Sequence, residues 1–362
     1  LEGLVVLDLS FWKGKRVFLT GHTGFKGSWL LLWLLEMGAE ITGYSLMAEP
    51  EPNLFRQFQT SKDGRFKHIE ADLSDRLALS TAVNQCNPNV VLHLAAQPLV
   101  RQSYADPLGT WSTNVIGSLN LLESLRSLDN TCATVMVTTD KVYCNREWLY
   151  GYRETDRLGG SDPYSASKAA AELAISSWRS SFCGDATHQT QHLHIATARA
   201  GNVIGGGDWA ADRIVPDVMR ALARQCQIKV RNPSSTRPWQ HVLEPLSGYL
   251  SLAEQLLKSD PPPCEAFNFG PSLSSNCSVA DLVDSMLQHW TGQWYAANDP
   301  MAVYEAGLLH LQIDKAHNLL GWSPRWDYSS TVSRTVNWYR DVHEGADPYS
   351  RTLQDIKAYH SL

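Results

Sequence analysis

Short apolar runs alternate with longer stretches of helical periodicity through the first half of the chain. Apolar runs of four to eight residues are typical of buried strands, and apolar positions three and four apart are typical of helices. Strands are predicted at residues 17–20, 40–44, 66–71, 90–95, 134–138 and 194–198. Helices are predicted between them at residues 28–37, 75–85, 108–128 and 163–182. Because parallel strands need helical crossovers, this alternation predicts an α/β fold with a doubly wound parallel sheet.

The pattern changes beyond about Asn202, where glycine-rich loops separate scattered helices and short strands. Helices are predicted at residues 214–224, 243–257 and 279–290. A strand predicted at 266–269 could return to the main sheet. The chain therefore divides into a first domain at 11–202, a smaller and mainly substrate-binding domain at 203–345, and a C-terminal tail at 346–362.

Composition narrows the classes of partner. A net charge of −6 offers no broad basic field for nucleic acid or an anionic membrane surface. The longest apolar run, residues 29–35, is too short to span a bilayer. The seven cysteines are scattered without a C-x-x-C pair, which predicts neither a disulfide framework nor a metal site and fits a reducing cytoplasm.

A glycine-rich turn directly follows the first predicted strand and opens a helix. Its sequence runs Gly21-His22-Thr23-Gly24-Phe25-Lys26-Gly27. Glycines in this position let backbone N–H groups approach a diphosphate, which the helix N-terminus stabilises. The turn predicts a Rossmann-like dinucleotide site, with an ordinary strand-to-helix turn as the alternative. The candidate cofactor contacts are Gly21, Thr23, Gly24, Phe25, Lys26 and Gly27.

Further candidate cofactor contacts come after the third and fourth predicted strands. Asp72 and Leu73 are placed to contact an adenine, and Leu94, Ala95, Ala96 and Gln97 offer small side chains beside a ribose. The second strand ends at Tyr44-Ser45 without the acidic residue that usually binds the adenosine ribose of NAD. No arginine comes next to favour a 2′-phosphate, so these residues alone leave NAD and NADP open.

Tyr164 and Lys168 lie four residues apart in a predicted helix and therefore share one face. A phenol has an ordinary pKa of about 10, and a neighbouring cation favours its anion, which makes Tyr164 a candidate base. Lys168 is also placed to reach the nicotinamide ribose. The alternative is a solvated Tyr and Lys on an amphipathic helix.

The glycine turn and the Y-x-x-x-K motif, in this order, resemble the extended short-chain dehydrogenase/reductases that act on nucleotide sugars. Thr139-Asp140-Lys141 comes after the fifth predicted strand, and an Asp-Lys pair at this point is similar to that of the family's dehydratases acting on CDP-glucose. The resemblance covers about residues 11–338 and is most specific in the segments 145–148, 199–209 and 237–246.

The resemblance implies a 4,6-dehydration that uses NAD and CDP-glucose. Tyr164 would take the C4 hydroxyl proton while hydride passes to NAD. Asp140 would protonate the departing C6 hydroxyl, Lys141 would act at C5, and Thr139 would bind near O4. The division of roles between Asp140 and Lys141 stays open, because a lysine must lose its proton to act as a base.

The same matched segments suggest where the substrate binds. Arg237 and Arg213 are candidates for its diphosphate because guanidinium groups bind phosphate bidentately. The remaining candidates are Asn202 and His241 for the substrate and Arg199 for the cofactor. A homodimer or homotetramer and a role in O-antigen deoxysugar synthesis are expected by resemblance. The alternatives are a dehydratase for another nucleotide sugar, a 4-epimerase, and a non-catalytic NAD-binding regulator.

Overall fold

A computed structural model describes residues 8–58, 63–183, 192–297 and 307–361. Seven parallel strands form the central sheet, in the order β3-β2-β1-β4-β5-β6-β11. With strands numbered along the chain, they are β1 Arg16–Thr20, β2 Glu40–Ser45, β3 Phe66–Glu70, β4 Val90–His93, β5 Cys132–Val137, β6 Leu193–Ala200 and β11 Ala266–Phe269. The predicted doubly wound α/β fold is confirmed, since the chain order of the strands reverses between β1 and β4.

Helices connect and cover the strands of the first half. They are α1 Leu9–Trp12, α2 Phe25–Glu36, α3 Leu54–Gln57, α4 Arg76–Cys86, α5 Val100–Ala105, α6 Pro107–Trp111, α7 Ser118–Leu125 and α8 Pro163–Phe182. The single helix predicted at 108–128 is divided by a π-helical turn at Ser112–Gly117. Helix α2 begins three residues earlier than predicted because Gly24 is its N-cap.

The second half adds helices and three small strand pairs. The helices are α9 Ile214–Ala223, α10 Leu243–Lys258, α11 Val279–Leu287, α12 Asp314–Leu320, α13 Tyr328–His343 and α14 Pro348–His360. The pairs are β7 Val203–Ile204 with β10 Gln240–His241, β8 Ile228–Val230 with β13 Trp294–Ala296, and β9 Thr236–Pro238 with β12 Asn276–Ser278.

Two parts of the second half join the first. Strand β11 pairs in parallel with β6, with Ala266 opposite Thr197, so residues 266–269 do return to the main sheet. The segment assigned to a C-terminal tail contains α14, whose Ile356 and Tyr359 are buried against the main core. Across the described ranges, no helix is long and apolar enough to cross a membrane.

Glu244 links α10 to the C-terminal region through buried hydrogen bonds. Its fully buried carboxylate accepts hydrogen bonds from the Arg325 and Trp326 backbone N–H groups, at 3.0 and 2.8 Å, and from the Tyr359 hydroxyl at 2.7 Å. Burial raises the pKa of Glu244 from its ordinary value of 4.5 to about 7. The folded protein therefore holds this proton to higher pH than the unfolded chain, and this group's contribution to stability falls as pH rises from 4.5 to about 7.

The Glu244→Ala variant should lower the free energy of unfolding by about 3 kcal/mol or more, because three buried donors lose their acceptor. Urea unfolding measured at several pH values tests this expectation. In the wild-type protein Glu244 makes the free energy of unfolding decrease between about pH 4.5 and 7, and the variant should lose this decrease. Glu344→Ala, an exposed change at the end of α13, is the matched control. Equal stability of the two variants would contradict the role given to Glu244.

Candidate active site

The segment after β5 carries a compact polar cluster at the carboxyl edge of the sheet. Residues Asp140–Val142 form a 3₁₀ turn whose N-cap, Thr139, accepts a hydrogen bond from the Lys141 backbone N–H. The Thr139 hydroxyl donates to Asp140 Oδ1 at 2.9 Å, and Lys141 Nζ lies 3.2 Å from the same oxygen. Asp140 is only 1% exposed, whereas the Lys141 side chain is about one-third exposed (31%). A Cβ at Gly201 would lie 2.9 Å from Asp140 Oδ2, so this glycine leaves room for the carboxylate.

Helix α8 brings the tyrosine and lysine to the same cluster. The helix begins with Asp162 as N-cap, which accepts from the Ser165 N–H, and Pro163 at its first position. Lys168 Nζ donates to the Val137 carbonyl at 3.2 Å, directly at the end of β5. The Tyr164 hydroxyl lies close enough to Thr139 for that side chain to lower its pKa. The structure therefore brings Thr139, Asp140, Lys141, Tyr164 and Lys168 together.

Burial and charge act in opposite directions on Tyr164. Burial raises its pKa above the ordinary value of 10, and the Lys141 ammonium is the largest effect that lowers it, ahead of the neighbouring Thr139 side chain. Burial lowers the pKa of Lys168 to about 8, against the opposing charge of Glu172. Lys141 thus does more than Lys168, the cation expected from the motif, to favour the Tyr164 phenolate.

A buried ion pair behind Lys168 was not predicted from the sequence. Glu172 accepts from the hydroxyls of Thr138 at 2.5 Å and Thr197 at 2.9 Å, and from Arg199 Nη2 at 2.8 Å. Arg199 also donates to the Tyr143 hydroxyl at 2.8 Å. Arg199, a candidate cofactor contact, is thus engaged within the protein, and the network ties α8 to β5 and β6. Glu172 comes four residues after Lys168 and therefore lies on the same helix face, and this spacing could have indicated that Glu172 belongs to the site.

The glycines of the turn let other backbone segments come closer than a side chain would allow. Gly21 has φ +75°, and a Cβ there would lie 2.6 Å from the Ala95 backbone nitrogen. A Cβ at Gly27 would lie 2.1 Å from the Gly21 carbonyl oxygen. Gly24 is exposed and caps α2 without a side-chain hydrogen bond, which leaves the first N–H groups of the helix open to an anion. These features fit the diphosphate of a dinucleotide.

The other candidate cofactor contacts lie along the same edge of the sheet. Leu94, Ala95, Ala96 and Gln97 are half-buried beyond β4. The Gln97 amide bonds to Thr110 and Leu99, and the Thr23 hydroxyl lies 2.7 Å from that of Ser45. Asp72 is exposed, with Oδ1 accepting from the Ser74 N–H, whereas Leu73 is buried against Gly117. Phe25 and Lys26 are half-buried in the first turn of α2.

The four candidate substrate contacts differ in position. Arg213 pairs with Asp208 at 2.9 Å and lies close enough to Tyr164 to lower its pKa. Asn202 comes directly after Gly201, and its buried side-chain oxygen has no hydrogen-bond partner among the described residues. Arg237 lies on β9, where Nη1 donates to the Thr236 carbonyl. His241 is fully buried between the rings of Trp29 and Trp326, so the structure does not bring it to the cluster.

Throughout the described ranges, no group of three or more His, Cys, Asp or Glu side chains is placed to hold a metal ion. The seven cysteines are all free thiols, and Cys226 is exposed.

The fold and the Tyr-Lys pair define a Rossmann-like protein of the short-chain dehydrogenase/reductase type, as the sequence predicted. The chain belongs to the GDP-mannose 4,6 dehydratase family, whose profile matches residues 18–335. It is 46% identical over 360 residues to a CDP-glucose 4,6-dehydratase from Salmonella typhimurium, with 98% of this chain and 99% of that protein covered. It is 24% identical over 338 residues to a probable dTDP-glucose 4,6-dehydratase from Sinorhizobium fredii, covering 90% and 92%.

Solved structures share the fold at lower identity. A dTDP-glucose 4,6-dehydratase from Bacillus anthracis in complex with NAD gives a TM-score of 0.74 at 19% identity, with 92% of this chain and 99% of that chain covered. The epimerase Mth375 from Methanothermobacter thermautotrophicus gives a TM-score of 0.78 at 20% identity, covering 93% and 96%. Dehydratases and epimerases therefore share this architecture, and the site residues rather than the fold distinguish their reactions.

Proposed function

We propose that the protein is a CDP-glucose 4,6-dehydratase that uses NAD to convert CDP-glucose into CDP-4-keto-6-deoxyglucose. The observation that carries this proposal is the buried Asp140 carboxylate, which pairs with Lys141 and accepts a hydrogen bond from Thr139 beside Tyr164. An epimerase needs a base for the C4 hydroxyl but no acid for a departing C6 hydroxyl. The 46% identity to a CDP-glucose 4,6-dehydratase over nearly the full chain supports the same reaction and substrate.

Tyr164 accepts the proton of the C4 hydroxyl in this proposal, with Thr139 holding the hydroxyl and Lys141 favouring the phenolate. The resulting C4 ketone acidifies the C5–H bond. Asp140 donates a proton to the departing C6 hydroxyl. Lys141 lies 3.2 Å from Asp140 and can supply it with that proton, after which the neutral Lys141 amine accepts the proton lost from C5. Water then leaves across C5 and C6, and both side chains return to their starting charges.

NAD fits the glycine turn and the residues that lead from it to Lys168. Gly21 and Gly24 would hold the diphosphate, and Lys168 the nicotinamide ribose. When bound, NAD supplies the hydride acceptor and donor, so that the hydrogen removed from C4 returns at C6. NAD rather than NADP is supported by the complex of the Bacillus anthracis dehydratase with NAD. Arg237 and Arg213 remain the proposed ligands of the substrate's diphosphate, and Arg213 lies beside Tyr164.

The proposal is tested by incubating the purified protein with NAD and CDP-glucose, and in parallel with the dTDP-, UDP- and GDP-linked sugars. The expected result is a 4-keto-6-deoxy product from CDP-glucose, identified by mass spectrometry and NMR, at a higher rate than from any other donor. A C4-epimerised sugar without loss of water would establish the epimerase alternative. Bound NAD with no conversion of any donor would favour a regulator.

Self-association is proposed through the outer face of α6, the π turn and α8. Leu108 in α6, Ile116 in the π turn and Leu173 in α8 are 82%, 53% and 61% exposed, and these three elements pack against one another. Burying such side chains together is what an interface would provide. Sedimentation should give a multiple of the monomer mass, reduced to the monomer by Leu173→Glu. A monomeric wild-type protein would contradict the proposed self-association.

We also propose that the protein acts in a reducing cytoplasm, which the free cysteines fit.

A further inference from the structure

The proposed catalytic groups lie on two separate elements. Tyr164 and Lys168 belong to α8, whereas Thr139, Asp140 and Lys141 follow β5. The reaction needs both sets at one sugar ring, so the contacts that fix α8 against the end of β5 also fix the geometry of the site. A misplacement of about 1 Å can cost about 10²-fold in rate.

Two side chains of α8 reach the end of β5. Lys168 Nζ donates to the Val137 carbonyl at 3.2 Å. Glu172, about one helical turn further on, accepts from the hydroxyl of Thr138 at 2.5 Å. In the proposed reaction Lys168 also binds the nicotinamide ribose, whereas Glu172 binds neither cofactor nor sugar. The bond between Glu172 and Thr138 can therefore stay unchanged while cofactor and sugar react.

The same carboxylate also reaches the far end of the catalytic segment, residues 139–142. Glu172 Oε2 accepts from Arg199 Nη2 at 2.8 Å, and Arg199 Nη1 donates to the hydroxyl of Tyr143 at 2.8 Å. Thr138 directly precedes the catalytic segment, and Tyr143 directly follows it. Both ends of the segment are thus tied to one carboxylate on α8, directly at Thr138 and through Arg199 at Tyr143.

Burial keeps this network away from competing water. Its four side chains are all buried, namely Thr138, Glu172, Arg199 and Tyr143. Burial raises the pKa of Glu172, but the hydrogen bond and charge of Arg199 and the two threonine hydroxyls together hold that pKa below its ordinary value of 4.5. The carboxylate is therefore ionised at neutral pH and only accepts hydrogen bonds, so the Thr138 hydroxyl is the donor.

We propose that Glu172 is a positioning residue, which holds the catalytic segment at both ends and so sets its distance from Tyr164 and Lys168. This inference rests on the proposed function for the reaction whose rate it governs. Glu172 is not a catalytic residue, because its carboxylate is occupied by Arg199 and two threonine hydroxyls. Loss of an anchor should therefore lower kcat with little change in the KM for CDP-glucose, since the proposed diphosphate ligands lie outside this network.

Two threonines that bind the same carboxylate provide a matched pair of variants. T138V and T197V each remove one buried hydroxyl from Glu172, but Thr197 lies within β6, away from the catalytic segment. In the full chain with NAD, T138V should lower kcat for the dehydrated sugar about tenfold at a nearly unchanged KM. T197V should keep the wild-type kcat. T138S retains the hydroxyl and should keep most of the rate, and urea unfolding should show a similar loss of stability in the two valine variants.

Tyr143→Phe tests the second anchor and guards against misfolding of T138V. The ring keeps its buried place while Arg199 loses an acceptor, and kcat should again fall about tenfold. Wild-type kcat in both T138V and Y143F would overturn the inference. An equal loss of kcat in T138V and T197V would also overturn it, because that result identifies a contribution to stability alone.

Either of these outcomes leaves the dehydratase proposal intact, because the wild-type protein still forms the dehydrated sugar. A wild-type protein that forms no dehydrated sugar from any donor would instead overturn the proposed function and this inference with it.

Discussion

Asp140→Asn should reduce formation of the 4-keto-6-deoxy product by about 10²–10⁴-fold while oxidation at C4 continues. Asparagine matches the shape of aspartate and can still accept the Thr139 hydrogen bond, but it cannot donate a proton to the departing C6 hydroxyl. The two steps are separated by a single-turnover experiment, in which absorbance measures reduced nicotinamide and mass spectrometry measures the dehydrated sugar. Reduced nicotinamide should therefore accumulate in this variant.

The matched control for this variant is Asp129→Asn, an exposed change in the loop before β5. It should leave both steps at the wild-type rate. Loss of C4 oxidation together with elimination in Asp140→Asn would show that the carboxylate acts earlier than proposed. Unchanged elimination would remove Asp140 from the reaction.

Tyr164→Phe should slow C4 oxidation itself by about 10²–10⁴-fold, and product formation with it, because no other group takes the C4 hydroxyl proton. The phenylalanine ring fills the same buried space, so folding and NAD binding should be retained. In the wild-type protein the rate of C4 oxidation should rise with pH as the Tyr164 phenolate forms. This rise is expected because burial holds the pKa of Tyr164 above its ordinary value.

The control for the tyrosine is Tyr150→Phe, which alters a side chain that is largely exposed to solvent. The two catalytic variants should block different steps of the reaction. Tyr164→Phe should block reduction of the nicotinamide, and Asp140→Asn should block the elimination of water from the oxidised sugar. If both variants blocked the same step, the division of roles between the two residues would be wrong.

The sequence predicted the central sheet well, because β1, β4 and β5 are short and mainly apolar and because strand and helix patterns alternate along the first half of the chain. It also predicted which catalytic residues meet. Asp140 and Lys141 come directly after one strand, and Tyr164 and Lys168 begin the next long helix, so the parallel topology brings both to one edge of the sheet.

Contacts between distant parts of the chain were not predictable in the same way. The contact between the Lys26 ammonium and the Tyr249 ring depends on how α10 packs against the sheet, and no local sequence pattern indicates that packing. His241 belongs to a segment that matches the family, but such a match does not distinguish a substrate contact from a side chain packed between two tryptophans. The roles of the individual site residues therefore stay predictions for the variants described above.

One buried cluster is proposed to oxidise C4, remove water, and return the same hydrogen to C6. The most direct measurement uses CDP-glucose carrying deuterium at C4, with the product examined by NMR and mass spectrometry. We expect a 4-keto-6-deoxy sugar with the deuterium at C6. A dehydrated product without deuterium, or a sugar that keeps its C6 hydroxyl and carries the deuterium at an inverted C4, would contradict this mechanism.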